Sequence, residues 1–239
     1  MYQTISIENK NTLMIAHRGL SGLERENTCA AFVAAGNRSY YGIETDIHKT
    51  KDGHFIVYHD DSMLRLADLD WKVEDCTLDV LRSLRLKDMD GNVRGDLVLP
   101  TLQEYIRICR KYGKDAILEL KNPFSSEDIQ TVLEVIRNED WLHRTVFISF
   151  DLDTLLRIRY LRPTQPLQYL VRELTPDVTC ALIQFGMALD IKHSNISAAQ
   201  IEELHSMNLK VNVWTVDDPH EAKRLIDAGV DYITTNILE

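Results

Sequence analysis

The chain has 239 residues, 44% of them hydrophobic and 27% charged, with only 10 glycines and 6 prolines. That balance excludes a disordered tail, a collagen-like repeat and a disulfide-stapled miniprotein. The formal net charge of −10, with no long run of Lys or Arg, argues against broad electrostatic binding to nucleic acid or an anionic membrane.

Short β-rich runs alternate with amphipathic helical stretches along the chain. The first extended run, 12–17, follows a segment with no basic n-region and no sustained apolar h-region, so it does not read as a secretory signal. No apolar run approaches the ~18 residues of a spanning helix, and the expectation is a soluble cytoplasmic protein. Further extended runs fall at 42–48, 116–121, 145–150, 166–171, 188–193, 210–216 and 231–236. Helical patterns fill most of the gaps, several opening on a capping Ser, Thr or Asp and closing near Gly or Asn. Eight β runs separated mainly by helices imply parallel strands with crossovers, hence an α/β fold and a (β/α)8 TIM barrel.

One stretch breaks the rhythm. KDGHFIVYHDD (51–61) reads as a turn at Asp52-Gly53 and a second extended run, a hairpin after the second strand. Residues of about 62–100 then mix charged and apolar positions before Pro100-Thr101 opens a helix. A structureless loop of that length is uncommon, so the expectation is a small insertion with its own turns or helix, within one domain spanning 1–239. Cys29, Cys76, Cys109 and Cys180 form no C-x-x-C pair and read as reduced, mostly buried thiols.

Active sites of β/α barrels form at the C-terminal strand ends, so unusual residues there carry the most meaning. The first run ends Ala16-His17-Arg18-Gly19. The second holds Glu44 and Asp46, and the third Glu119 and Lys121, each pair at i,i+2 and therefore on one strand face. Charges inside apolar strands need compensation. Glu44 and Asp46 can pair with Arg18 and Lys121 as a structural ion cluster, or three converging carboxylates can hold a hard divalent ion such as Mg²⁺ or Ca²⁺. His17 or His59 alone is ambiguous; together, two histidines can divide general base and general acid work.

These segments resemble the glycerophosphodiester phosphodiesterase family. The matching motifs are AHRG (16–19), ENT (26–28), ETD with TKDGHFIVYHDD (44–61), LPTLQEY (99–105), LELK (118–121), VWTVDD (213–218) and GVDYITTN (229–236), in family order over almost the whole chain. The segment between His59 and Pro100 sits where that family carries an extra segment. The resemblance implies a metal-dependent phosphoric diester hydrolase of lipid and glycerol metabolism that cleaves glycerophosphodiesters to sn-glycerol 3-phosphate and an alcohol. By position, Glu44, Asp46 and Glu119 match the metal-binding carboxylates, His17 and His59 the acid–base pair, Arg18 and Lys121 the phosphate-holding cations, and Trp214 an aromatic wall. The ion is expected to be Mg²⁺ or Ca²⁺, with Mn²⁺ accepting the same oxygen donors. The resemblance also implies that the substrate's own glycerol hydroxyl attacks first, giving a cyclic phosphate that water opens.

Three departures qualify the match. Arg25 precedes Glu26 where the family often has proline, and Ile237-Leu238 follows Asn236 where a proline is usual; both bear on loop stiffness. His48 takes a commonly neutral position and reads as a packed or solvated strand-end histidine. Phe150 reads equally as core or pocket and is left outside the site. The expected substrates are small soluble diesters such as glycerophosphocholine, with no nucleic acid partner and no stable membrane insertion. The alternatives are cleavage of lysophospholipids in the manner of a lysophospholipase D, and a non-catalytic barrel that binds phosphodiesters.

Overall fold

The computed structural model describes residues 3–239. Its strands are β1 (Leu13–Ala16), β2 (Gly42–Lys49), β3 (Phe55–Val57), β4 (Asp115–Leu120), β5 (Thr145–Ser149), β6 (Leu167–Val171), β7 (Ala188–Lys192), β8 (Val211–Trp214) and β9 (Tyr232–Thr235). The helices are α1 (Cys29–Gly36), α2 (Leu64–Ala67), α3 (Leu78–Ser83), α4 (Leu102–Tyr112), α5 (Ser126–Asn138), α6 (Leu152–Leu161), α7 (Pro176–Phe185), α8 (Ala198–Ser206) and α9 (Pro219–Asp227). β1 pairs in parallel with both β2 and β9, which closes β1, β2 and β4–β9 into an eight-stranded parallel barrel. β3 lies outside the ring, antiparallel to β2, with Ile47 opposite Val57 and Lys49 opposite Phe55. The expected hairpin and barrel are both present.

Local chemistry accounts for the helix boundaries. Thr101 and Glu104 form a reciprocal capping box at the start of α4, and Gly113 ends it in the left-handed conformation at φ 65°; such caps contribute about 1 kcal/mol each. Leu102, Tyr105, Ile106 and Cys109, at i, i+3, i+4 and i+7, form the buried face of that helix. The main core lies between strands and helices.

A second cluster fills the barrel itself: Ile15, Ile117, Val146, Ile148 and Leu170, with Tyr41, Trp214 and Tyr232 against it. Tyr41 and Tyr232 meet with ring centroids 5.8 Å apart, near the N-terminal ends of β2 and β9. Toward the C-terminal strand ends the inward side chains turn polar, so the barrel can be wet only at that end.

Residues 58–101 carry α2, a 3₁₀ turn at Val73–Asp75 and α3. They bury a separate cluster that includes Tyr58, Met63, Leu66, Leu81 and Leu97, which gives this segment a core of its own. The four cysteines are unpaired, but only Cys109 is fully buried and Cys180 is exposed. The expectation of mostly buried thiols therefore fails, because Cys180 falls on the outer face of α7. No helix among the described residues is long and apolar enough to cross a membrane.

Candidate active site

Glu44, Asp46 and Glu119 are 3%, 1% and 8% exposed. The register Asp46 opposite Glu119 brings β2 and β4 carboxylates together, and one oxygen from each of the three lies within 4.8 Å of the others. Each is held differently. Asp46 accepts from Asn27 Nδ2 at 2.8 Å and lies 3.6 Å from both Arg18 Nε and Lys121 Nζ. Burial works against its charge, but Arg18, Lys121 and His59 outweigh burial and leave its pKa well below the usual carboxylate range. Glu119 pairs with Lys121 at 3.0 Å, yet burial and the Asp46 charge push it up to about 7. Among the described residues, the Glu44 carboxylate accepts only the backbone N–H of Arg18, at 2.8 Å. Burial and its two acidic neighbours raise it well above the ordinary value.

The ion-cluster alternative is thus met only in part. Arg18 is shared with Glu26 at 2.9 Å, and Glu44 has no Lys or Arg within salt-bridge distance among the described residues. The residues present do fit a divalent ion. All three donors are hard oxygens, and separations within 4.8 Å are what two oxygens at about 2.4 Å from one centre allow, with a slight contraction serving a smaller ion.

The AHRG segment owes its shape to two consecutive left-handed residues, Arg18 at φ 53° and Gly19 at φ 76°. A Cβ on Gly19 would come within 2.7 Å of the Ala31 backbone carbon, so the close approach of the loop to α1 requires glycine. The turn presents His17 to the mouth. Its Nδ1 lies 2.7 Å from Asn236 Oδ1, an oxygen that also accepts from Ser21 Oγ at 2.6 Å. Asn236 Nδ2 donates to Asp217 at 2.6 Å, which settles the amide orientation. The His17 Nδ1 proton is therefore the donor, and Nε2 keeps its lone pair toward the site, 4.0 Å from Glu44. Burial and then the Arg18 charge push the His17 pKa down to about 4.

His59 follows the same scheme from the other side. Its Nδ1 donates to Asp60 Oδ1 at 2.7 Å, again leaving Nε2 free. Burial lowers its pKa, opposed by Asp46 and Asp60. Asp60 accepts from Arg65 Nε at 2.6 Å, and Arg65 clasps Glu26 with both terminal nitrogens at 2.7 and 2.9 Å. His48 is fully buried, with Nε2 3.4 Å from the carbonyl oxygen of His59. The reading of His48 as a packed histidine holds.

A cavity of about 330 Å³ is lined by His17, Arg18, Glu44, His59, Glu119, Lys121 and Trp214. Asp46 stands behind it, so all eight residues singled out in the sequence converge. The Nε1 of Trp214 is buried with no partner among the described residues. Phe150, read as core or pocket from the sequence, lines the cavity, and Arg172 and Asp190, which the sequence reading did not single out, line it too. Inward parity on the fourth and sixth runs, and just past the end of the fifth, was the available signal. The Asp190 carboxyl, with Oδ1 unpartnered, is raised well above its ordinary value by burial and by Glu119. Asn236, Asp217 and Asn27 lie inside motifs quoted above, but their supporting contacts follow only from the folded geometry.

The family model for glycerophosphoryl diester phosphodiesterases matches residues 17–239. A glycerophosphodiester phosphodiesterase of Caldanaerobacter subterraneus subsp. tengcongensis is 29% identical over 238 residues, 94% of each chain. Among solved structures, a glycerophosphodiester phosphodiesterase from Parabacteroides distasonis is 30% identical with a TM-score of 0.80, covering 95% of this chain and 93% of that one. An Oleispira antarctica phosphodiesterase, in complex with the product sn-glycerol-3-phosphate, is 27% identical with a TM-score of 0.85, covering 97% of this chain and 95% of that one. With a family match over nearly its whole length, and a barrel whose mouth gathers an acidic triad and two histidines, this chain belongs to the glycerophosphoryl diester phosphodiesterase family, a family of phosphoric diester hydrolases.

Proposed function

We propose that this protein hydrolyses small glycerophosphodiesters to sn-glycerol 3-phosphate and an alcohol, with His17 and His59 as the acid–base pair and Glu44, Asp46 and Glu119 holding a divalent ion, Mg²⁺ or Ca²⁺. The observation that carries the reading is two histidines, each tied through Nδ1 and open at Nε2, on one cavity with the buried acidic triad. A bound ion would supply Lewis-acid polarisation of the anionic phosphoryl oxygens.

The side chains divide the remaining work. Arg18, whose buried Nε lies 3.6 Å from Asp46 and has no hydrogen-bond partner among the described residues, and Lys121 hold the phosphate and counter its growing charge. His17 is backed by a neutral amide, and its lowered pKa keeps Nε2 unprotonated at neutral pH and open to take the proton of the attacking glycerol hydroxyl. His59 is backed by the Asp60 carboxylate, which opposes the lowering of its pKa by burial and makes it the better suited of the two to protonating the leaving alkoxide. In the second half the roles reverse, as water opens the cyclic phosphate. Trp214 and Phe150 wall the organic part of the substrate. Residues 1–239 act as one barrel domain with an insertion at about 62–100, and four unpaired thiols fit a cytoplasmic setting.

The test is release of sn-glycerol 3-phosphate from glycerophosphocholine, before and after chelation and with each ion restored. Activity should vanish with chelator and return with Mg²⁺ or Ca²⁺. Chelator-insensitive activity would overturn the metal role, and faster turnover of lysophosphatidylcholine would move the assignment to a lysophospholipase D. No turnover across a diester panel would leave a binding barrel.

A further inference from the structure

The chemistry above uses one side of the mouth. β1 and β6 are four strands apart in either direction round the ring, so Arg172, just beyond β6, faces His17 and Arg18 across the cavity that all three line. Its guanidinium carbon lies 5.6 Å from the centroid of the Phe150 ring. Phe150 in turn meets Trp214 edge to face at 5.8 Å. A ring under the guanidinium fixes its plane and leaves the N–H edges open to a ligand.

The charge state of the neighbours separates Arg172 from the other cations of the cavity. Arg18 is committed to Glu26 and Asp46, and Lys121 to Glu119 and Asp46. Arg172 makes its recorded side-chain contact with an aromatic ring and has no salt bridge among the described residues. Val171 pairs with Ile191, so Lys192 ends the adjacent strand beside it, also exposed and also without a salt bridge among the described residues. The acidic triad lies on β2 and β4. Asp190 of β7 lines the same cavity, but no carboxylate among the described residues lies within salt-bridge distance of Arg172 or Lys192, so both cations on the β6–β7 side of the rim are open to an anion.

We propose that Arg172, seated on Phe150, forms a second anion subsite, and that the favoured glycerophosphodiesters are those whose alcohol carries a further phosphate. The inference rests on the diesterase reading of the site. A planar fork of donors suits a phosphate group, and Phe150 and Trp214 line the same cavity as Arg18, Lys121 and Arg172.

The probes are glycerophosphoglycerol and the same diester bearing a terminal phosphate. Wild-type kcat/KM should favour the phosphorylated diester about tenfold, mainly through KM, because the contact lies away from the reacting atoms. Arg172→Gln should bring that ratio to within about twofold of unity, Arg172→Lys should restore part of it, and added salt should erode it. A wild-type ratio near one, or a ratio that survives Arg172→Gln, would overturn the subsite. Calorimetry on His17→Ala protein with Mg²⁺ keeps the two readings apart. Tighter binding of the phosphorylated diester, lost when Arg172→Gln is added, supports the subsite even if neither diester is turned over, in which case the hydrolase reading alone falls. Equal binding of the two sinks the subsite even if both are hydrolysed, and no binding of either sinks both readings.

Discussion

Asn236 holds His17: its Oδ1 accepts from Nδ1 at 2.7 Å, and Asp217 holds the amide nitrogen at 2.6 Å. The link runs from the end of β9 to the end of β1, strands that are neighbours only because the barrel closes. It selects the tautomer that leaves Nε2 basic. Asn236→Ala should lower kcat by about 10–100-fold, the range seen when a ligand histidine loses its orienting partner, with an unchanged far-UV spectrum. A loss of less than about threefold would show that packing alone orients the ring.

Ion binding should be pH-dependent with a defined sign. Glu119, at about 7, and Glu44, also raised, hold protons in the ion-free protein that an ion must displace, so affinity falls as pH drops below 7. His17, at about 4, stays unprotonated throughout that range. Acid loss of activity at limiting ion should therefore be recovered near pH 6 by saturating ion. Failure to recover would assign the loss to a histidine.

The same groups set the stability of the ion-free protein. The folded pKa of Glu119 lies above its ordinary 4.5, so its contribution is fully present below pH 4.5 and is lost as pH rises to 7. A divalent ion should raise Tm more at pH 8 than at pH 5. Glu119→Gln should remove most of that difference while abolishing activity, a result read by thermal melts with and without chelator.

The inserted segment should matter to catalysis through one side chain. Arg65 of α2 bonds Asp60, the partner of His59, and Glu26, the partner of Arg18. Arg65→Ala should lower kcat about tenfold with little change in Tm, since the side chain is 43% exposed. Arg65→Lys should recover little, because lysine cannot make the two-pronged contact. Wild-type turnover in Arg65→Ala would confine the insertion to a structural role.

Gly19→Ala tests the loop geometry. The new methyl would meet the Ala31 backbone at 2.7 Å on a residue at φ 76°, costing about 2–4 kcal/mol. A denaturant midpoint close to wild type would show that the AHRG turn can move away from α1.

Period-two alternation made much of this site legible. Glu44 with Asp46, and Glu119 with Lys121, share a strand face wherever the strands lie, because successive side chains point to opposite sides. Capping residues likewise marked α4, since their partners lie within a few positions. Local spacing could not reveal that Phe150, Arg172 and Asp190 line one cavity with Glu44 and Glu119, that Asn236 orients His17 across a separation of 219 residues, or that Arg65 joins the supports of His59 and Arg18. The amino-acid sequence by itself determined that the second and third β runs carry charge on one face and where capped helices such as α4 begin. Only the closed ring decided which of those charges meet, because contact across a barrel depends on strand order and register, and no short stretch of chain contains either.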